Sequence, residues 1–134
     1  IYEEFMMPTN KRILLVDDDD ALRATLRTCL EAVGYQCLEA KDGQEAREWL
    51  QGGHSVDVIV TDHQMPRVNG LELIKGLNRQ VNMESIPIIF YSGQLSQGLK
   101  VQAIQPGVNA ILEKPFPLQQ FLDLISKVCE KTVK

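Results

Sequence analysis

Five short apolar segments alternate with five segments of helical periodicity between residues 11 and 133, and this alternation constrains the fold more than any other feature. Apolar runs of this length, rich in Val, Ile and Leu, are typical of strands that are buried on both faces. Parallel neighbours need long crossover connections, which a strand–helix–strand unit provides. Because such crossovers are right-handed, the sequence predicts an α/β fold, a doubly wound, five-stranded parallel sheet with helices on both faces.

The element boundaries follow from where each pattern changes. The predicted strands are 12–16, 36–40, 58–62, 86–91 and 109–112. Apolar residues at helical spacing predict helices over 22–33, 44–51, 70–77, 95–105 and 118–129. The fourth helix has the weakest pattern, because Gly98 lies inside it and Pro106 follows it. Residues 1–10 lack a clear period and are interpreted as an N-terminal leader or an expression remnant, which leaves 11–134 as the domain.

The composition excludes several classes of protein. The chain has 134 residues, of which 44% are hydrophobic and 24% charged, as in an ordinary globular domain. A net charge of −4 argues against a nonspecific nucleic-acid surface. No apolar run approaches the roughly 20 residues that a membrane span needs, and the three cysteines lack metal-binding spacing. These features predict a cytoplasmic protein that binds neither nucleic acid nor membranes directly.

Charged and polar residues stand where the predicted strands end. Asp17 and Asp18 follow the first strand, Asp62 ends the third, and Ser92 and Lys114 follow the fourth and fifth. Parallel strands bring these ends to one edge of the sheet, where open α/β sheets bind ligands. Three close carboxylates repel one another unless a cation joins them, and Mg²⁺ suits such a site. With a hydroxyl and an ammonium nearby, the set predicts a phosphoryl site with an Asp as acceptor.

Four motifs carry a more specific resemblance. They are Leu15-Val16-Asp17-Asp18, Asp62-x-x-Met65-Pro66-x-x-Asn69-Gly70, Ser92-Gly93 and Lys114-Pro115-Phe116. In this order, at these strand ends, they resemble the receiver domain of two-component response regulators. The resemblance covers residues 11–133 and implies a CheY-like, flavodoxin-like (βα)5 fold with strand order 2-1-3-4-5. It also implies that the Lys114–Pro115 peptide bond is cis.

The resemblance also implies a role for each site residue. Asp62 accepts a phosphoryl group from the phosphohistidine of a histidine kinase or a histidine phosphotransfer protein. Ser92 and Lys114 then contact the phosphoryl oxygens. The implied Mg²⁺ ligands are Asp18, Asp62 and the backbone carbonyl of Gln64, with Asp17 acting through water. Such a domain is a signalling switch and not an enzyme, apart from its own phosphoryl transfer and autodephosphorylation, and it contacts an effector through helix 4, strand 5 and helix 5.

Three residues depart from the family pattern. Ser92 replaces the commoner Thr and keeps the hydroxyl, and Gly93 replaces the commoner Ala, which is expected to ease phosphoryl access. Ile111 stands where the family usually has an aromatic ring that reports the phosphorylation state. Ile is stiff at χ1 and has no ring. Helix 4, over residues 95–105, is therefore expected to be the part that moves on activation.

Other interpretations compete with these assignments. A flavodoxin is disfavoured because the Asp run after strand one would repel the flavin phosphate. A haloacid-dehalogenase-type phosphatase matches Asp17-x-Asp19, but has Thr or Val where Ala21 stands. A receiver that is never phosphorylated and serves only as a docking module remains the alternative function. His63 is interpreted as a solvent-facing loop residue and Trp49 as a packing residue, whereas Asp19 and Asp20 are expected to cap a helix.

Overall fold

A computed structural model describes residues 11–79 and 86–131, so residues 1–10, interpreted above as a leader, lie outside the described residues. In the described part, five parallel strands form one sheet in the order β2-β1-β3-β4-β5. The strands are β1 (Arg12–Val16), β2 (Gln36–Ala40), β3 (Val58–Asp62), β4 (Ile88–Ser92) and β5 (Val108–Glu113). The predicted fold class and strand order are confirmed.

Five helices of the described residues cover the two faces of this sheet. They are α1 (Asp20–Ala32), α2 (Gly43–Gln51), α3 (Gly70–Asn78), α4 (Gln97–Gln102) and α5 (Leu118–Lys131). One apolar core joins the sheet to α2 and α3, and a second joins it to α1 and α5. Alternate residues of β3 supply the two cores, because Ile59 faces the first while Val58 and Val60 face the second. None of these helices has both the length and the apolar character that crossing a bilayer requires.

Local hydrogen bonds explain where the helices begin. The Asp19 side chain accepts from the backbone N–H groups of Ala21 and Leu22, so its predicted capping role at α1 is confirmed. Asn69 and Glu72 form a reciprocal capping box at the start of α3. These caps place α1 and α3 directly after the loops that carry Asp17 and Asp62.

Three predicted elements, β4, α4 and β5, have different bounds in the structure. β4 begins at Ile88 rather than at residue 86, because Pro87 has no N–H to donate to a neighbouring strand. α4 covers six residues rather than eleven: Ser96 caps its start, Ala103 ends it, and Gly107 turns the chain with a φ of 90°. β5 is longer than predicted and extends over Val108–Glu113. β4 also ends one residue later than predicted, so Ser92, a predicted site residue, belongs to the strand itself.

Two residues assigned to apolar helix stripes are exposed. Val33 is 51% exposed and Leu118 is 39% exposed. Val33 is the C-cap of α1, so helical periodicity no longer determines its direction. Leu118 is the first residue of α5, before the buried positions Phe121 and Ile125. Periodicity therefore predicts burial within these helices but not at their ends.

Candidate functional site

The site lies at the carboxyl edge of the three central strands. Val16 of β1 pairs with Thr61 of β3, so Asp17, one step further on, lies beside Asp62. Asp62 in turn pairs with Tyr91 of β4. One row of the sheet therefore presents a carboxylate, a second carboxylate and a phenol on adjacent strands.

Three carboxylates of this edge lie close enough to share a cation. Asp17, Asp18 and Asp62 each offer an oxygen, and these oxygens all lie within 4.8 Å of one another. Asp17 and Asp62 are buried, whereas Asp18 is exposed. Gln64 lies exposed in the loop after β3. A set of hard oxygen donors with one exposed side fits Mg²⁺, which keeps several waters when a protein binds it.

Lys114 joins the cluster from β5. Its Nζ lies 3.3 Å from Asp62 Oδ2 and 3.6 Å from Asp17 Oδ2. Its backbone N–H donates to the carbonyl of Ser92 at 2.9 Å, which ties the end of β5 to the end of β4. The peptide bond from Lys114 to Pro115 is cis, as the resemblance implied.

The surroundings of Asp62 oppose its ionisation. Burial is the largest effect and the negative charge of Asp17 the second, and together they raise the pKa of Asp62 from 3.8 to about 6. Lys114 and the backbone N–H of His63, which donates to Asp62 Oδ1 at 2.8 Å, act in the opposite direction. A bound cation would favour the ionised form of this carboxylate.

Ser92, the last residue of β4, makes its side-chain hydrogen bonds with the backbone of Gln94. Its side chain is buried, and its Oγ accepts from the backbone N–H of Gln94 at 3.3 Å and donates to the Gln94 carbonyl at 3.4 Å. Neighbouring residues of a strand point to opposite faces, so Ser92 and Tyr91 diverge. The position beside it is open, because a Cβ on Gly93 would meet no atom within 4 Å.

Tyr91 belongs to the site although its role was not predicted. Its hydroxyl donates to Asp17 Oδ2 at 2.6 Å, and the side chain is buried. Burial, and next the charge of Asp17, raise the pKa of this phenol well above its usual value, so it stays a donor. A Tyr inside a buried strand needs a hydrogen-bond partner for its hydroxyl, and this is the signal by which the sequence could have revealed it.

His63 is not the solvent-facing residue that was predicted. Its ring is half-buried, with its centroid 5.6 Å from that of Phe90, and its Nδ1 has no partner among the described residues. Burial lowers the pKa of the imidazole. The reason is the close approach of α3: the N–H of Gly70 donates to the His63 carbonyl at 2.9 Å. A Cβ on Gly70 would lie 2.4 Å from the carbonyl oxygen of Asp62, so only Gly fits.

A second unpredicted contact holds the loop after Asp62. Arg67 donates two hydrogen bonds, at 2.9 and 3.1 Å, to the buried carboxylate of Asp42. Asp42 also caps α2 through the N–H of Glu45. Arg67 has a φ of 66°, a left-handed conformation that is unusual for a residue other than Gly. The bidentate pair joins the loops that follow β2 and β3.

Two further residues from the sequence analysis, Trp49 and Ile111, pack against the first apolar core. Trp49 packs against the core and its Nε1 donates to the Glu39 carbonyl at 2.8 Å, which confirms its packing role. Ile111 packs against the same core and lines a groove of about 480 Å³ between α4 and β5. This groove also contains Val101 and Ile104, which are 61% and 73% exposed. Two large hydrophobic side chains are therefore exposed beside α4.

Comparisons with known proteins agree with the observed fold. The family model described as "Response regulator receiver domain" matches residues 13–126. The chemotaxis protein CheY1 of Helicobacter pylori is 35% identical over 109 residues, which cover 81% of this chain and 88% of that protein. The phosphate regulon transcriptional regulatory protein PhoB of Pseudomonas aeruginosa is 31% identical over 122 residues, which cover 91% of this chain and 53% of PhoB. The receiver domain of Francisella response regulator 1452 is 30% identical, with a TM-score of 0.83 and coverage of 92% and 99%.

Proposed function

Because this chain belongs to the response regulator receiver domain family, a regulatory class in two-component signalling, we propose that it is a switch set by a phosphoryl group on Asp62. One observation carries the proposal. Asp62 ends the central strand beside Asp17 and Asp18, and an ammonium lies 3.3 Å from its Oδ2. An acceptor carboxylate, a cation site and a fixed positive charge are the components that phosphoryl transfer to an Asp requires.

The proposed metal ligands are Asp18, Asp62 and the backbone carbonyl of Gln64, with Asp17 acting through water. When bound there, Mg²⁺ would neutralise the negative charge that gathers during phosphoryl transfer. The chain's own contribution is to hold these oxygens together before the cation arrives. The buried position of Asp17 and the 4.8 Å spread of the ligand oxygens support this assignment.

In the proposed reaction a carboxylate oxygen of Asp62 attacks the phosphorus of a phosphohistidine on a histidine kinase or a phosphotransfer protein. The new O–P bond forms as the P–N bond breaks, and the imidazole leaves with the electron pair and takes up a proton. Lys114 pairs with the phosphoryl oxygens, and Ser92 leaves Gln94 to donate to them. Hydrolysis of the acyl phosphate returns Asp62 to its free state.

The proposed output surface is the face formed by α4, β5 and α5. Movement of Ser92 displaces the loop that leads into α4, whose N-cap Ser96 lies four residues further along the chain. The exposed side chains Val101 and Ile104 and the groove beside Ile111 support an effector contact at this face. The effector is either a further domain of the same protein or a separate protein.

Intact-mass measurement after incubation with acetyl phosphate and Mg²⁺ tests the acceptor. The wild type is expected to gain one labile phosphoryl adduct, and Asp62→Asn none. The control Asp123→Asn, an exposed Asp on α5, is expected to be phosphorylated like the wild type. Chelation of the metal should abolish the adduct in the wild type and in Asp123→Asn. An equal, base-stable adduct on Asp62→Asn would refute the proposal, and no adduct on the wild type would favour a docking module.

A further inference from the structure

Tyr91 makes the hydrogen bond that completes the surroundings of Asp17. Asp17 Oδ1 accepts the backbone N–H of Asp19 at 2.8 Å, and Oδ2 accepts the Tyr91 hydroxyl at 2.6 Å. The Asp17 carbonyl accepts from Arg23 Nη1 at 2.5 Å. The carboxylate is buried, so each of these donors replaces water that the folded chain excludes. Every polar atom of the Asp17 carboxylate is therefore held by the protein.

Lys114 lies between two carboxylates that compete for it. Its Nζ is 3.3 Å from Asp62 Oδ2 and 3.6 Å from Asp17 Oδ2, the same oxygen to which Tyr91 donates. An ammonium is attracted most strongly by the carboxylate with the fewest other donors. The Tyr91 hydroxyl already donates to Asp17 Oδ2, so the Lys114 ammonium lies nearer to Asp62.

We propose that Tyr91 is a positioning residue for phosphoryl transfer: its hydroxyl holds Asp17 and thereby keeps Lys114 at Asp62. The effect on the transfer rate rests on the proposed function. The arrangement of Tyr91, Asp17 and Lys114 does not. The ring has separate neighbours, since its centroid lies 5.5 Å from that of Phe116 and 5.0 Å from Lys114 Nζ. Tyr91→Phe keeps this ring and removes only the hydroxyl.

Loss of the hydroxyl leaves a buried carboxylate oxygen without its nearest donor. Such an acceptor carries a large desolvation cost unless another donor replaces the lost one. Lys114 is the cation already within 3.6 Å of it. In Tyr91→Phe the ammonium therefore moves toward Asp17, and Asp62 loses the charge that stabilises the transferred phosphoryl group.

The first experiment is a double-mutant cycle in metal-free protein, with urea unfolding as the measurement. Tyr91→Phe is expected to lower the unfolding free energy of the wild type, and to lower it less than half as much in an Asp17→Ala background. Tyr35→Phe is the matched control, because the Tyr35 hydroxyl contacts Cys129 and not the site. If Asp17→Ala does not fold, Asp17→Leu takes its place, because Leu also offers no acceptor to the Tyr91 hydroxyl. Equal effects of Tyr91→Phe in both backgrounds would overturn the proposed contact.

The second experiment locates Lys114 directly. The ¹H–¹⁵N signal of its side-chain ammonium, assigned with Lys114→Arg, is recorded in metal-free protein. The signal is expected to shift in Tyr91→Phe and to remain in place in Tyr35→Phe. An unchanged signal in Tyr91→Phe would overturn the claim that the phenol positions Lys114, whatever the protein does with phosphoryl donors.

The third experiment measures function. With acetyl phosphate, Tyr91→Phe is expected to be phosphorylated about tenfold more slowly than the wild type, as loss of one charge-assisted contact predicts. Its Mg²⁺ affinity by calorimetry should change far less, because Asp18 and Asp62 are intact. In Lys114→Ala, adding Tyr91→Phe should have no further effect on the rate. Parallel losses of rate and Mg²⁺ affinity would indicate a merely structural role, whereas a wild type that is not phosphorylated would refute the proposed function and leave the first two experiments decisive for Tyr91.

Discussion

The acidic pocket, formed by Asp17, Asp18 and Asp62 with Tyr91 and Lys114, and the α4 segment, residues 95–105, meet at the end of β4 but are built differently. In the pocket, Asp17, Asp62 and Tyr91 are buried and linked through hydrogen bonds and Lys114. In the α4 segment, the six-residue helix itself has no buried residue. A group that must be correctly placed before reaction benefits from rigid support, whereas a segment that must move benefits from low local stability. The proposed phosphorylation switch needs both properties side by side.

The contrast has a plain origin in packing. α5 has fourteen residues and buries Phe121 and Ile125 completely. α4 is less than half as long and contributes the half-buried Leu99 to the core. Since most helical stability comes from tertiary packing of an apolar face, α4 is expected to be the least stable of the described helices.

The largest expected effect is a loss of stability when Ile is replaced by Ala, compared between α5 and the α4 segment. Ile125→Ala removes a fully buried side chain from α5 and is expected to lower the unfolding free energy by about 2–5 kcal/mol. Ile104→Ala, at a position that is 73% exposed, is expected to change it by about 0.5 kcal/mol or less. Urea denaturation measures both. Similar losses would mean that the α4 segment is packed as firmly as α5.

The second prediction concerns pH and the acidic pocket. Because the pKa of Asp62 is raised from 3.8 to about 6, the native state binds this proton more tightly than the unfolded state does. Ionisation of Asp62 therefore destabilises the metal-free protein as the pH rises from 3.8 through about 6. Asp62→Asn removes this cost, and at pH 7.5 it is expected to be more stable than the wild type by on the order of 3 kcal/mol.

The pH dependence of that difference is the test. Urea unfolding with a chelator present should give a difference between Asp62→Asn and the wild type that shrinks as the pH falls toward 4.5. The exposed Asp123→Asn serves as the control and should follow the wild type at every pH. A difference that is constant with pH would show that ionisation of Asp62 is not its cause.

The third prediction concerns activation. Beryllofluoride with Mg²⁺, which mimics the phosphoryl group, is expected to shift the backbone NMR signals of residues 95–105 while the Ile111 methyl signals change little. Ile111 is packed against the core, and its β-branched side chain is stiff at χ1. It therefore cannot swing between two positions as an aromatic ring can. The methyls of Ile125 provide the reference for an undisturbed core. Large shifts of the Ile111 methyl signals with unchanged backbone signals in the α4 segment would show that the α4 segment is not the part that moves.

The smallest effect is expected from Gly98→Ala within α4. A Cβ there would come no closer to its neighbours than 4.0 Å, from Ser96 Oγ, so Ala fits. Ala is favoured over Gly in a helix by about 0.5–1 kcal/mol, which should slow hydrogen exchange of the α4 amides about threefold. The amides of α5 should exchange at an unchanged rate. No slowing in α4 would mean that this glycine does not limit its stability.

Local patterns were sufficient for most of the architecture. β1 and β2 agree with their predicted bounds, and Asp62 ends β3 as expected, because period and β-branching are properties of the segment itself. The predicted bounds are wrong where another effect dominates. Pro87 prevents β4 from starting before Ile88, and α4 is shortened because Ser96 caps its start and Gly107 turns the chain after it. The carboxylate cluster was predictable as well, since parallel strands bring their carboxyl ends together.

The sequence by itself determined the elements, their parallel arrangement and the chemical character of the edge, because each depends on spacing along the chain. Only the tertiary structure decided which donor meets which acceptor there. The Tyr91 hydroxyl reaches Asp17 across 74 residues of sequence, Ser92 bonds Gln94 instead of a carboxylate, and His63 is half-buried against Phe90. These contacts depend on strand register and on side-chain rotamers, which packing selects and which no local spacing encodes.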